Sequence, residues 1–163
     1  MFLTKNIVII MNDKELLLQD ICCRLPYEVK VNVNSEYLSE ELIKSGYDKP
    51  LVVYGVTADG SISFTLDKFL MEYSMPILSI KPYLFPLSSM TEEQKIECFK
   101  GTDIELDEHN EIWSTFPISN SDIVLTNLNN WLKVINWLNK NHFDYRGLIE
   151  KGLAIDARGL NIY

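Results

Sequence analysis

From about Leu128 to Lys140 the apolar residues return with the period of an α-helix. Leu128, Trp131, Leu132, Ile135 and Leu138 fall on one side, with Asn129, Lys133, Asn136 and Lys140 opposite. A helix with so broad an apolar stripe has to lay it against another apolar surface. A second pattern offers one. Tyr27, Val29, Val31 and Val33 alternate with Glu28, Lys30, Asn32 and Asn34, the period of two that marks a half-buried strand. The two periods together place the chain in the α+β class.

The remaining elements follow from local signals. Asn12 and Glu15 form a capping box ahead of Leu16, Leu17, Asp20, Ile21, Arg24 and Leu25, which predicts a helix over 13–24 that Pro26 stops. Ser35 is placed to cap a short helix through Leu38, Leu42 and Ile43, closed by Gly46. Leu51 to Val56 and Ser61 to Leu66 flank Thr57-Ala58-Asp59-Gly60 and predict a hairpin, because Asp-Gly supplies the positive φ of its turn. Residues 67–75 read equally as helix or loop. Ile77 to Ile80 reads as a strand. Lys81 to Leu87 holds two prolines and is expected as an irregular extended strap, with Tyr83, Leu84 and Phe85 packed on the sheet. Ser89 and Glu92 resemble a second capping box, at the head of Thr91 to Phe99. A hairpin is expected from Ile104 to Phe116, a tight helical turn from Phe143 to Ile149, and a last short strand near Leu153 to Asp156. The expected sheet is small, antiparallel, built from hairpins and open to closure as a barrel.

At 163 residues the chain has the size of one domain, and 47% apolar residues are ample for its core. We expect residues 11–163 to form that domain. Residues 1–10 are read as an optional extension or an added edge strand, with Ile7 to Ile10 in need of cover. This apolar run is shorter than the ~7–15 residues of a signal-peptide core. No apolar stretch approaches the ~18–20 residues needed to cross a bilayer. Cys22 and Cys23 are adjacent and suit neither a disulfide nor a chelate, and together with Cys98 they fit reduced thiols in a cytoplasm.

The formal charge is −8. Such a surface forgoes the counterion release behind most nucleic-acid binding and gains nothing from anionic lipid, so neither nucleic acid nor membrane is an expected partner. The charge is local. Residues 92–111 carry eight acids against Lys95 and Lys100, whereas from Asp122 onward there are four acids and five bases. A solvated face is the preferred reading of the acidic run, a basic partner the sharper one.

No cofactor is expected. Gly55 and Gly60 have the P-loop spacing, but Ser61 and Ile62 follow where Lys and Ser/Thr are needed. The acidic run at 103–114 has Glu108 and Ser114 where an EF-hand needs Gly and Glu. Two His and three Cys lie at spacings unsuited to zinc. A Cys98–His142 nucleophile pair requires a contact that spacing does not supply.

One polar constellation stands out: His142-Phe143-Asp144-Tyr145-Arg146-Gly147, just past the amphipathic helix. It would serve as a small-anion pocket or general acid/base site, with Arg146 holding a carboxylate or phosphate. The preferred reading is structural. Asp144 and Arg146 then fix the turn through backbone groups or each other, Phe143 and Tyr145 pack inward, and His142 stays wet at a helix C-terminus. Trp131 and Trp137 are likewise read as packing.

Three segments carry a resemblance: Leu25 to Val31, Ile80 to Glu93 and Trp137 to Ala154. Over Met11 to about Asp156 the chain resembles a set of short uncharacterised proteins from gut anaerobic bacteria and their phages. Phe85 stands where that group has Arg, and residues 1–10 fall outside the match. The resemblance implies a phage or mobile-element origin and a cytoplasmic address, and it brings no activity.

The leading expectation is a small non-enzymatic protein that binds another protein, motivated by the acidic segment and by an exposed strap around Tyr83 and Phe85. The alternatives are an enzyme or anion sensor built on His142, Asp144, Tyr145 and Arg146, and a virion or assembly component.

Overall fold

The computed structural model describes residues 11–65, 73–102, 105–106, 112–113 and 121–163. The chain gathers into two compact units, Met1–Pro82 and Tyr83–Tyr163. The expected extension 1–10 lies outside the described residues.

The first unit opens with α1, Asp13–Arg24. Asn12 accepts from the Glu15 N–H at 2.9 Å and the Glu15 carboxylate accepts from the Asn12 N–H at 3.2 Å, so the capping box forms as expected. Its buried face is Leu17, Asp20, Ile21 and Arg24, one side of the helix. Asp20 and Arg24 are both sealed and pair through two hydrogen bonds of 2.8 and 3.0 Å. Pro26 ends the α-helix in a single 3-10 turn, Leu25–Tyr27.

Strand β1, Lys30–Val33, buries Val31 and Val33. The short α2, Glu40–Lys44, is capped by Ser39 rather than Ser35, which instead begins a 3-10 turn over Ser35–Tyr37. Strands β2, Leu51–Val56, and β3, Ser61–Thr65, make the expected hairpin. Gly60 takes φ +81° there. A Cβ at Gly60 would meet Lys14 Cε at an ordinary 3.5 Å, so the turn needs glycine for its backbone and not for space. Strand β4, Tyr73–Pro76, pairs with β3, while 66–72 lie outside the described residues. Ile77–Ser79 is a 3-10 turn and not a strand. Pro76 precedes it, and Ser79 Oγ donates to the Pro76 carbonyl at 2.6 Å.

Strand β5, Ile80–Pro86, replaces the irregular strap. Its first three residues pair antiparallel with β1, Pro82 opposite Val31. The Asn34 N–H donates to the Ser79 carbonyl at 2.8 Å, and hydrogen-bonded pairs alternate along an antiparallel ladder. Pro82 therefore falls at a non-bonded pair, where its ring nitrogen points away from β1 and no ladder bond is lost. The order β4-β3-β2-β1-β5 has two ends, so this sheet is open and not a barrel.

In the second unit the rest of β5 carries parallel pairs, which makes the sheet mixed rather than antiparallel throughout. Helix α3, Glu92–Phe99, is capped by Thr91 and Gln94, not by Ser89 and Glu92. Ser89 Oγ is engaged by the Pro86 carbonyl at 2.7 Å. Strands β6, Glu105–Leu106, and β7, Ile112–Trp113, pair antiparallel, and the connection 107–111 lies outside the described residues. Helix α4, Ser121–Lys140, starts well before Leu128, because Ile123-Val124-Leu125 hides the helical period at its head. The expected turn at 143–149 begins instead as β8, Phe143–Asp144, paired with β5 through Phe85. Strand β9, Ile155–Asp156, falls where a last strand was expected. Cys98, Val134, Leu138 and Phe143 form the core, with Phe85, Met90, Trp131, Trp137 and Tyr145 around them. Each such apolar side chain, fully buried, contributes roughly 1.5–3 kcal/mol before entropy is counted.

Candidate functional site

Helix α4 ends in a left-handed turn. The His142 N–H donates to the Asn139 carbonyl at 3.2 Å, and His142 takes φ +58°. A helix stop of this kind usually recruits Gly or Asn. The imidazole is not wet at the helix end as expected. It is buried and stacks on the Tyr163 ring, centroids 3.8 Å apart and 10° from parallel. Tyr163 is held in turn by its hydroxyl, which donates to the Tyr83 carbonyl at 2.9 Å.

Asp144 is buried, and its carboxylate accepts from the Leu148 and Ile149 N–H groups at 2.9 and 2.8 Å. It therefore shapes the 144–149 turn. The Tyr145 hydroxyl is 3.1 Å from Asn139 Oδ1, and the Arg146 guanidinium lies 4.9 Å from the Tyr145 ring centre, a cation–π distance.

Tyr83 and Phe85 do not form an exposed strap. Tyr83 is buried, which pushes its phenol pKa up, and Phe85 is half-buried with its ring 6.0 Å from both Phe143 and Tyr163. Tyr83 pairs with Ile155 and Phe85 with Phe143, so both stand in a regular paired strand in place of the irregular segment that the prolines implied.

Among the described residues, two clefts of this unit bear on the candidate site. The first is an apolar groove of about 490 Å³ between α3 and α4, walled by Met90, Cys98, Phe99, Trp131, Ile135 and Leu138 among others. Leu128 continues that stripe one turn earlier and stays 55% exposed. Ile96 on α3 and Leu132 on α4 are 67% and 48% exposed. Burial raises the Cys98 thiol to about 11. The second cleft, about 660 Å³, is lined by Phe85, Lys140, Asn141, His142, Arg158 and Tyr163, with residues from the head of α3.

The four residues of the 142–146 cluster are thus divided. His142 faces the second cleft, Tyr145 the first, and Asp144 and Arg146 line neither. Sequence reasoning missed Arg158 and Tyr163, which stand far from His142 in the chain and reach it through tertiary structure alone. Among the described residues no three His, Cys, Asp or Glu side chains are gathered to hold a metal ion, and no helix is long and apolar enough to cross a membrane.

In the comparisons with known proteins, no family model, curated protein or solved structure matches the chain.

Proposed function

We propose that this chain is a small non-enzymatic binding protein, of phage or mobile-element origin and cytoplasmic, that seats an amphipathic basic helix of a partner protein in the α3–α4 groove. The observation that carries this reading is the apolar groove itself, on two helices that also leave Ile96, Leu128 and Leu132 exposed. An apolar groove between two helices is the kind of surface that the apolar face of a further helix covers. The basic character of the partner follows from charge. Glu92, Glu93 and Glu97 stand exposed on α3. Glu92 and Glu97 are paired with Lys95 and Lys100, so the excess negative charge rests on Glu93 and on the chain's formal charge of −8. Complementary charge at such a rim steers association and selects the partner more than it adds affinity. The rival reading, an enzyme or sensor built on His142, Asp144, Tyr145 and Arg146, is weakened because Asp144 is committed to two backbone donors and His142 and Tyr145 serve different clefts.

Titration of tryptophan emission with a Lys/Leu amphipathic peptide tests the proposal, because Trp131 lines the groove. A shift is expected with that peptide and not with its Glu/Leu counterpart. Leu132→Glu should weaken binding about tenfold or more while moving stability by no more than about 0.5 kcal/mol, the usual range for a surface change. Equal response to both peptides, or an unaltered L132E titration, would overturn it.

A further inference from the structure

The second cleft departs from the electrostatics of the rest of the chain. In a molecule of formal charge −8, its lining includes Lys140, Arg158 and His142 and no carboxylate side chain. The nearby acid that matters is Asp156. It pairs with Arg158 at 2.6 Å, and this bond holds the Asp156 carboxyl below the usual carboxylate range. The pair uses Arg158 Nε and Nη2, which fixes the guanidinium while leaving the Nη1 donors outside the fork. One full positive charge from Lys140 stands in excess of that pair.

The cleft also has an aromatic wall. Tyr163 and His142 are stacked, Phe85 adjoins Tyr163, and the Tyr163 hydroxyl is tethered to backbone, so the wall is held before any ligand arrives. His142 occupies a left-handed position that Gly or Asn would fill with less strain. Stopping α4 requires only that backbone conformation. The imidazole adds the face that pairs with Tyr163 and lines the cleft.

We infer that the cleft walled by Lys140, His142, Arg158, Phe85 and Tyr163 is a binding site for a small aromatic anion, a phosphate or carboxylate borne on an aromatic ring. The ring lies against the aromatic wall, and the oxyanion meets Lys140 and the outer donors of Arg158. The volume of about 660 Å³ falls within the usual range for small-molecule pockets. This site shares no lining residue named for the partner groove and stands independently of that proposal.

Phenyl phosphate is the probe, followed by aromatic-proton NMR of the intact chain. Phenol and inorganic phosphate serve as its two halves, and benzoate as the carboxylate arm. Phenyl phosphate or benzoate should bind about tenfold more tightly than phenol or inorganic phosphate, and whichever of the two binds more tightly identifies the anion class. Lys140→Glu and Arg158→Gln, both at exposed positions, should each weaken that binding at least about fivefold, while Leu132→Glu leaves it unchanged. The inference is overturned if neither aromatic anion binds better than phenol, or if both cleft variants bind like the parent chain.

Discussion

Around α1 and its sheet, Leu17, Ile21, Val31, Val53, Ile62 and Phe64 keep no more than 1% of their surface exposed. Around α4 an equally apolar stripe is only partly covered: Val134 and Leu138 are buried, while Leu128 and Leu132 lie open. The first unit has an open sheet whose strands alternate cleanly between a buried and a wetter face, with one helix packed on the 3-10 turn at Ile77–Ser79. The second has two-residue strands, an aromatic-rich core and two clefts of several hundred Å³. Where apolar periodicity is matched by a partner surface, it yields a scaffold. Where it exceeds the partner surface, it leaves a place to bind.

The largest effect expected on this contrast comes from the sealed ion pair of the first unit. Asp20→Ala takes from Arg24 the carboxylate that neutralises it inside the fold. Breaking a buried pair from one side costs about 3–5 kcal/mol. Urea unfolding should register this as a lower midpoint, and the double variant Asp20→Leu, Arg24→Met should recover most of the loss. A loss below about 1 kcal/mol would mean that the first unit is not the better sealed of the two.

Next in size is the reactivity of Cys98, which tests how closed the α3–α4 core is. Its thiol is pushed up to about 11 by burial. Relative to an ordinary thiol near 8.5, it holds roughly three-hundredfold less thiolate at neutral pH. Cys22 and Cys23 are exposed. A thiol reagent at pH 8 should therefore titrate two groups quickly and the third only slowly or on unfolding. The sign of the linkage follows. Folding keeps the proton on Cys98, so this site lowers stability as pH rises from about 8.5 to about 11 and leaves it unaffected below. Three thiols reacting at one rate would show the second core opening freely.

The same contrast governs how much of the molecule could be read from its sequence. The first unit was legible because its signals are local. Asn12 with Glu15, Asp59 with Gly60, and the alternating Val29, Val31 and Val33 each act within a few residues. Strand β5 was not, because a proline reads as a breaker until its partner strand is known. Only the Pro82–Val31 register reveals that the missing N–H faces away from β1. The head of α3 had two overlapping capping patterns, and Ser89 lost to Thr91 because its hydroxyl was already engaged with Pro86. At the candidate site the sequence pointed to His142 but took its neighbours in the chain for its neighbours in space. The imidazole meets Tyr163, while Asp144 turns to the Leu148 and Ile149 N–H groups.

The smallest effect compares two capping boxes of the same design. Asn12 heads α1 and Thr91 heads α3, and each satisfies one backbone donor while its partner three residues on satisfies another. Replacing either by Ala should cost about 1 kcal/mol locally, the usual value of an N-cap. What differs is where the loss is felt. Helix α1 spans twelve residues with four buried, so fraying its start pulls on a sealed core and should lower the unfolding midpoint of the whole first unit. Helix α3 spans eight residues with one buried, Cys98. Its fraying is absorbed locally, as exposed helix ends generally do. Hydrogen exchange should accordingly report faster amides confined to the first turn of α3 in Thr91→Ala, but a spread across α1, β1 and β5 in Asn12→Ala. Similar, local patterns in both variants would erase the distinction between a closed scaffold and an open binding unit.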